Sequence, residues 1–199
     1  MVVDPNQHDT FVLRQKFAPV INRYEFSLAE GEEPFCFVEQ KRFTFKEDIR
    51  FYTDPSKTTE LMRIKARQRF DPRATYDVTG ADGQKIGEIK KVFGASLFRS
   101  TYEMDWPGGS VKAEEQNPIV ALFRRLVGFI PYVGDFADWL PIPYHFQFVR
   151  DGEVVGHHRR RIGPFRDVYD IDMTADAERA VDRRLVLAIA VGMDALQAR

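Results

Sequence analysis

Cysteine is nearly absent from this chain of 199 residues: Cys36 stands alone. A single thiol excludes an internal disulfide framework and points to a reducing, cytoplasmic setting. Long apolar runs are lacking as well. The longest, Leu185–Met193, has nine residues, against the ~20 that a membrane-crossing helix needs. The opening stretch, MVVDPNQHDT, has neither the basic nor the apolar region of a secretory signal, and residues 1–9 read as a flexible lead-in. An excess of charge of either sign is missing too. Lys and Arg number 29 against 30 Asp and Glu, which argues against a dedicated nucleic-acid binder. G-x-S-x-G, H-E-x-x-H, P-loop and C-x-x-C patterns do not occur, so the expectation is a protein that is not an enzyme and needs no cofactor or metal.

Aromatic residues are plentiful: 17 Phe, 7 Tyr and 2 Trp favour sheet over helix. The chain also repeats itself. LFRSTYEMD at 97–105 returns as PFRDVYDID at 164–172. Ahead of the first copy stand Asp82-Gly83, Gly87 and Gly94; ahead of the second stand Asp151-Gly152, Gly156 and Gly163. The glycine spacings, four and then seven, are the same in both. Each copy reads as a hairpin turning at Asp-Gly, a return strand with a glycine at a bulge or barrel corner, and a third strand ending in Asp. A weaker third copy lies at Tyr24–Lys41, with Glu30-Gly31 at its turn. Further strands are expected at 10–17, 45–52 and 60–70, making ten to twelve in all, and Gly108 is expected in a polar loop.

The end of the chain changes character. Residues 174–197 read as one helix, with Thr174 as N-cap and Asp176 and Glu178 in the first turn. From Leu185 to Met193 it is apolar on every side, so protein must surround it. The fold expected is therefore mainly β: a single domain over 1–199, closed as an antiparallel barrel of two similar halves around a buried C-terminal helix, with a helical insertion at 117–143.

These features carry a resemblance. The paired hairpins Asp82-Gly83…Ile86-Gly87 and Asp151-Gly152…Val155-Gly156, the strands Tyr102–Asp105 and Tyr169–Asp172, and an apolar helix ending in Met193-Asp194 resemble the tubby C-terminal-like superfamily. Within it the likeness is to the LURP-one-related and phospholipid scramblase branch, and it spans roughly Tyr24 to Leu196. The resemblance implies a twelve-stranded barrel around a central helix, and binding rather than catalysis. The Pro-rich and Cys-rich stretches of animal scramblases are not present. Their proposed calcium segment would fall near 170–181. There Asp170, Asp172, Thr174, Asp176 and Glu178 alternate, but Ala175 replaces the turn glycine and Val181 the closing Glu, so an acidic helix start is the simpler reading.

Candidate chemistry is sparse. Cys36, between Phe35 and Phe37, reads as a small buried residue. His157 and His158 are adjacent on a strand and point to opposite faces, so they do not share a metal. Asp135 and Asp138 read as caps. Two basic strands stand out more. Period two puts Arg63, Lys65, Arg67 and Arg69 on one face, an anion-attracting stripe, with Arg159 and Arg161 as a second group. The other unusual segment follows Asn117-Pro118, where Phe123, Phe129, Ile130 and Trp139 offer an apolar surface to a membrane or partner. The resemblance implies a binding module for anionic lipid headgroups or a membrane surface, in the cytoplasm and peripheral to the inner face of the membrane. The alternative is a protein-interaction module that docks a partner through 119–143.

Overall fold

The computed structural model describes residues 3–16, 21–41, 48–67, 75–92, 101–116, 145–162 and 167–197. Among them are twelve strands: β1 (Thr10–Lys16), β2 (Ile21–Ser27), β3 (Cys36–Lys41), β4 (Asp48–Tyr52), β5 (Glu60–Ala66), β6 (Thr75–Gly80), β7 (Lys85–Val92), β8 (Thr101–Trp106), β9 (Gly109–Glu115), β10 (His145–Arg150), β11 (Glu153–Ile162) and β12 (Asp167–Asp172). Each pairs antiparallel with its neighbour in sequence, and β1 pairs with β12 to close the barrel. Inside runs one helix, α1 (Arg183–Gln197).

Alternation along the strands decides what faces the helix. Phe11 and Leu13, Tyr24 and Phe26, Ile49 and Phe51, Met62 and Ile64, Tyr102 and Met104, and Phe146 and Phe148 are all buried at every second position. Helix residues 185–193 are buried on all sides. Fully burying one Leu, Ile or Val contributes about 1.5–3 kcal/mol, so the helix supplies one side of the core and the wall the other.

The doubled phrase has a structural counterpart. Gly83 and Gly152 close hairpins β6–β7 and β10–β11 with φ of +76° and +87°, where a Cβ would be strained. The register slips once in each hairpin, after Val78 and after Phe148. Opposite those slips lie Gly87 and Gly156. A Cβ on Gly87 would sit 2.5 Å from the Asp105 carbonyl oxygen, and one on Gly156 2.7 Å from that of Asp172. Those two Asp residues end the repeated phrase, so glycine and Asp mark the same close approach in both copies.

Three expectations change. The helix starts at Arg183, not near 174, and residues 174–182 form turns. Asp176 is therefore no first-turn residue: its carboxylate accepts the amides of Ala180 and Val181 and the Arg183 guanidinium. Gly108 is not in an open loop. It turns the β8–β9 hairpin, where a Cβ would lie 2.6 Å from Trp106 Nε1. Finally, residues 4–9, expected as a flexible lead-in, make specific contacts. Pro5–Gln7 form a 3-10 turn capped by Asp4, Asn6 Oδ1 accepts the Arg183 amide, and Asp9 accepts from Arg179 and Arg183. The insertion at 117–143, with Asp135 and Asp138, lies outside the described residues.

Candidate functional site

Because the helix fills the barrel, the side chains that could meet a ligand stand on the outer wall. The β5 stripe does lie there, with its partners. Met62 and Ile64 point inward, while Arg63 and Lys65 point out between them. Register puts Lys65 opposite Asp48 on β4 and Asp77 on β6. Arg63 bonds Glu60 at 3.0 Å and lies 3.5 Å from Asp48. Arg67, just past the strand end, bonds Asp77 at 2.7 Å and also Glu88. Lys85 and Lys90 extend the chain of pairs, to Asp77, Glu88 and Asp105. Bonds from Lys85 and Lys90, and then Arg67, hold the Glu88 carboxyl down to about 2. The stripe is thus one side of a ladder of alternating charge over β4 to β8, and of its three described members Lys65 alone makes no ion pair among the described residues. Arg69 lies outside the described residues, as do Phe123, Phe129, Ile130 and Trp139.

The second basic group is arranged differently. On β11, His158 points into the core, and His157, Arg159 and Arg161 point out. Arg161 is held by Glu30 at 2.9 Å and Asp170 at 2.7 Å. Arg160, on the inward side, makes a two-pronged contact with Asp167. Arg159 is exposed and makes no ion pair among the described residues. His145 of β10 stands directly opposite it. Burial, and then Arg159, lowers the pKa of His145; the same two causes lower that of His157, against a smaller opposing pull from Asp172.

His158 differs from its neighbour as alternation requires. It is buried, stacked on Tyr169 with centroids 4.9 Å apart, and neither ring nitrogen has a hydrogen-bond partner among the described residues. Burial, assisted by His145, pushes its pKa down to about 3. Cys36 is buried among apolar residues, which drives its thiol pKa up and leaves it inert. Among the described residues no three His, Cys, Asp or Glu side chains are grouped to hold a metal ion. In the stretch compared above with a calcium loop, each Asp is engaged: Asp170 by Arg161, Asp172 by Thr174, and Asp176 by Arg183. No described helix is long and apolar enough to cross a membrane.

The family model for LURP-one-related proteins matches residues 35–194, from the start of β3 through most of α1. The chain belongs to the LURP-one-related family. No curated protein matches it. The LURP-one-related match begins after β2, although β1 and β2 complete the barrel and β1 makes its seam with β12.

Of the residues singled out by sequence, the fold brings Arg63, Lys65 and Arg67 together on one wall and Arg159 and Arg161 on another. β5 and β11 are separated by β6 to β10 in one direction, so they form two faces rather than one. What sequence reasoning missed is the carboxylate partners. Asp48, Asp77 and Glu88 hold outward positions on neighbouring strands, and only the register reveals that they meet the stripe.

Proposed function

We propose that the chain is a non-enzymatic binding module whose outer wall recognises anionic lipid headgroups at a membrane surface. The observation that carries this reading is the division of labour in the barrel: the helix occupies the interior, and the outward positions of β5 and β11 carry the cations. Exposed ion pairs such as Arg67–Asp77 are weak, so an anionic surface can exchange for the carboxylates. Each basic side chain near such a surface contributes about 1 kcal/mol and is screened by salt. Among the described residues Lys65 and Arg159 have no ion pair to give up, which supports them as first contacts. Membership of the LURP-one-related family supports a binding role over a catalytic one.

The test is co-sedimentation with vesicles containing anionic lipid, at low and moderate salt. Binding should fall as salt rises, and fall again in the double variant Lys65→Glu, Arg159→Glu. If the protein ignores anionic vesicles even at low salt, the lipid reading is wrong, and docking of a protein partner through 119–143 takes its place.

A further inference from the structure

We propose that the outer face of β10 and β11 holds a binding site for a phosphomonoester, built from Arg159, His157 and His145. This rests on the lipid-surface reading and deepens it by naming the headgroup chemistry. The register supplies the geometry. His145 lies directly across from Arg159, and His157 occupies the next outward position along β11. Outward neighbours on a strand are about 7 Å apart, and cross-strand neighbours about 5 Å. A phosphoryl group with a hydrogen bond on either side spans such gaps.

The donors are in place before any ligand arrives. Gln116 Nε2 lies 3.0 Å from His157 Nδ1. An amide NH2 can only donate, so His157 Nδ1 accepts and the ring proton sits on Nε2. The neutral ring thus presents an N–H. Arg159 adds a guanidinium fork suited to two phosphate oxygens. His145 Nδ1 is enclosed without a hydrogen-bond partner among the described residues, which leaves its Nε2 for contact.

The surrounding charges are accounted for on each neighbouring strand. On β12, Asp170 faces Arg159 but is taken by Arg161, and Asp172 faces His157 but accepts the amide and hydroxyl of Thr174. On β9, Gln116 borders His145, and Glu114 stands beyond Gln147. Arg159 disfavours a proton on either outward histidine. An anion resting on Arg159 relieves that repulsion, so binding and protonation reinforce each other. The gain is greatest for a group that itself takes a second charge near pH 6, as a phosphomonoester does and a phosphodiester does not.

The test uses the full chain and two probes. Inorganic phosphate is titrated while the ring resonances of the histidines are followed by NMR from pH 5 to 8. Phosphate should raise the titration midpoints of His145 and His157, and Arg159→Gln should abolish the rise. Vesicles of phosphatidic acid are then compared with phosphatidylglycerol vesicles at pH 6 and 7.5. Binding to phosphatidic acid should be several-fold stronger. The preference should vanish in Arg159→Gln and His157→Gln and persist in Arg67→Gln, with unchanged near-UV circular dichroism in all three. If phosphate moves the histidines but neither vesicle binds, the site stands for a soluble phosphomonoester and the lipid reading fails. If vesicles of both kinds bind equally and Arg159→Gln changes nothing, the site is overturned and the lipid reading survives. Histidine midpoints unmoved by phosphate overturn the site whatever the vesicles do.

Discussion

Arg183 Nη1 lies 2.5 Å from Asp176 Oδ2, and neither side chain reaches solvent appreciably. The same guanidinium donates to Asp9 and to the carbonyls of His8, Met173 and Val181. It thus ties the entry of β1, the exit of β12 and the first turn of α1 to one point. Removing one partner of a buried pair leaves the other charge uncompensated, at a cost of about 3–5 kcal/mol. Arg183→Met should therefore lower the unfolding free energy by that amount in urea denaturation. Arg183→Met combined with Asp176→Leu should recover part of it. A single variant as stable as the parent would remove Arg183 from this role.

The Asp176 carboxyl gives that tie a pH dependence. Burial raises its pKa, but the Arg183 bond and the amides of Val181 and Ala180 outweigh it, so the folded value is lowered. Its contribution to stability is complete above the unfolded value near 3.9 and disappears as pH falls through the folded one.

His158 works at higher pH. Its folded value of about 3 lies far below the unfolded 6.5, so below 6.5 the unfolded chain takes up a proton that the fold refuses. Stability should be unaffected by this group above pH 7 and fall as the solution is acidified. The loss reaches about 2 kcal/mol at pH 5. His158→Phe should flatten thermal stability between pH 7 and 5. An unchanged slope in that variant would place the acid sensitivity elsewhere.

The two repeat glycines should behave as a matched pair. Gly87→Ala and Gly156→Ala each force a methyl against a backbone carbonyl, a crowding that costs about 1–3 kcal/mol. Gly83→Val and Gly152→Val strain the turns instead. Gly108→Val belongs with the first kind, because its side chain would strike the Trp106 indole. Denaturation midpoints should drop for all five, and full stability in Gly108→Val would contradict the packed hairpin.

The helix is the largest single commitment of the core. Val191→Asp buries an unpaired charge among apolar neighbours, and deletion of 183–199 leaves the wall without its filling. Both should yield insoluble or molten protein. A sharp calorimetric transition in the truncated chain would show that the wall stands alone.

The barrel and its helix were legible because they rest on local signals: Asp-Gly turns, strand alternation and a run of residues apolar on all sides. β9 was not legible. GSVKAEE has only Val111 and Ala113 as apolar inward residues, followed by a buried Glu115, which sequence reads as polar loop. The late helix start was hidden for a similar reason. Asp176 and Arg183 look like an acidic and a basic helix residue, and only the tertiary fold turns them toward each other. At the candidate site, period two matches the outward positions of Arg63, Lys65, Arg159 and Arg161. The neutralisation of the β5 stripe by Asp48, Asp77 and Glu88 depends on pairings between strands that no local pattern encodes.

The seam between β1 and β12 also governs the order in which this protein can assemble. On the ribosome, the first strand leaves the exit tunnel long before its partner at 167–172 is made, and the helix follows later still. Until then Phe11 and Leu13 have Phe26 and Phe35 beside them but lack the β12 and helix residues that complete the core. The nascent chain must therefore wait with an open sheet edge and unfilled interior, a condition that invites chaperone binding and favours closure only after synthesis has passed residue 193.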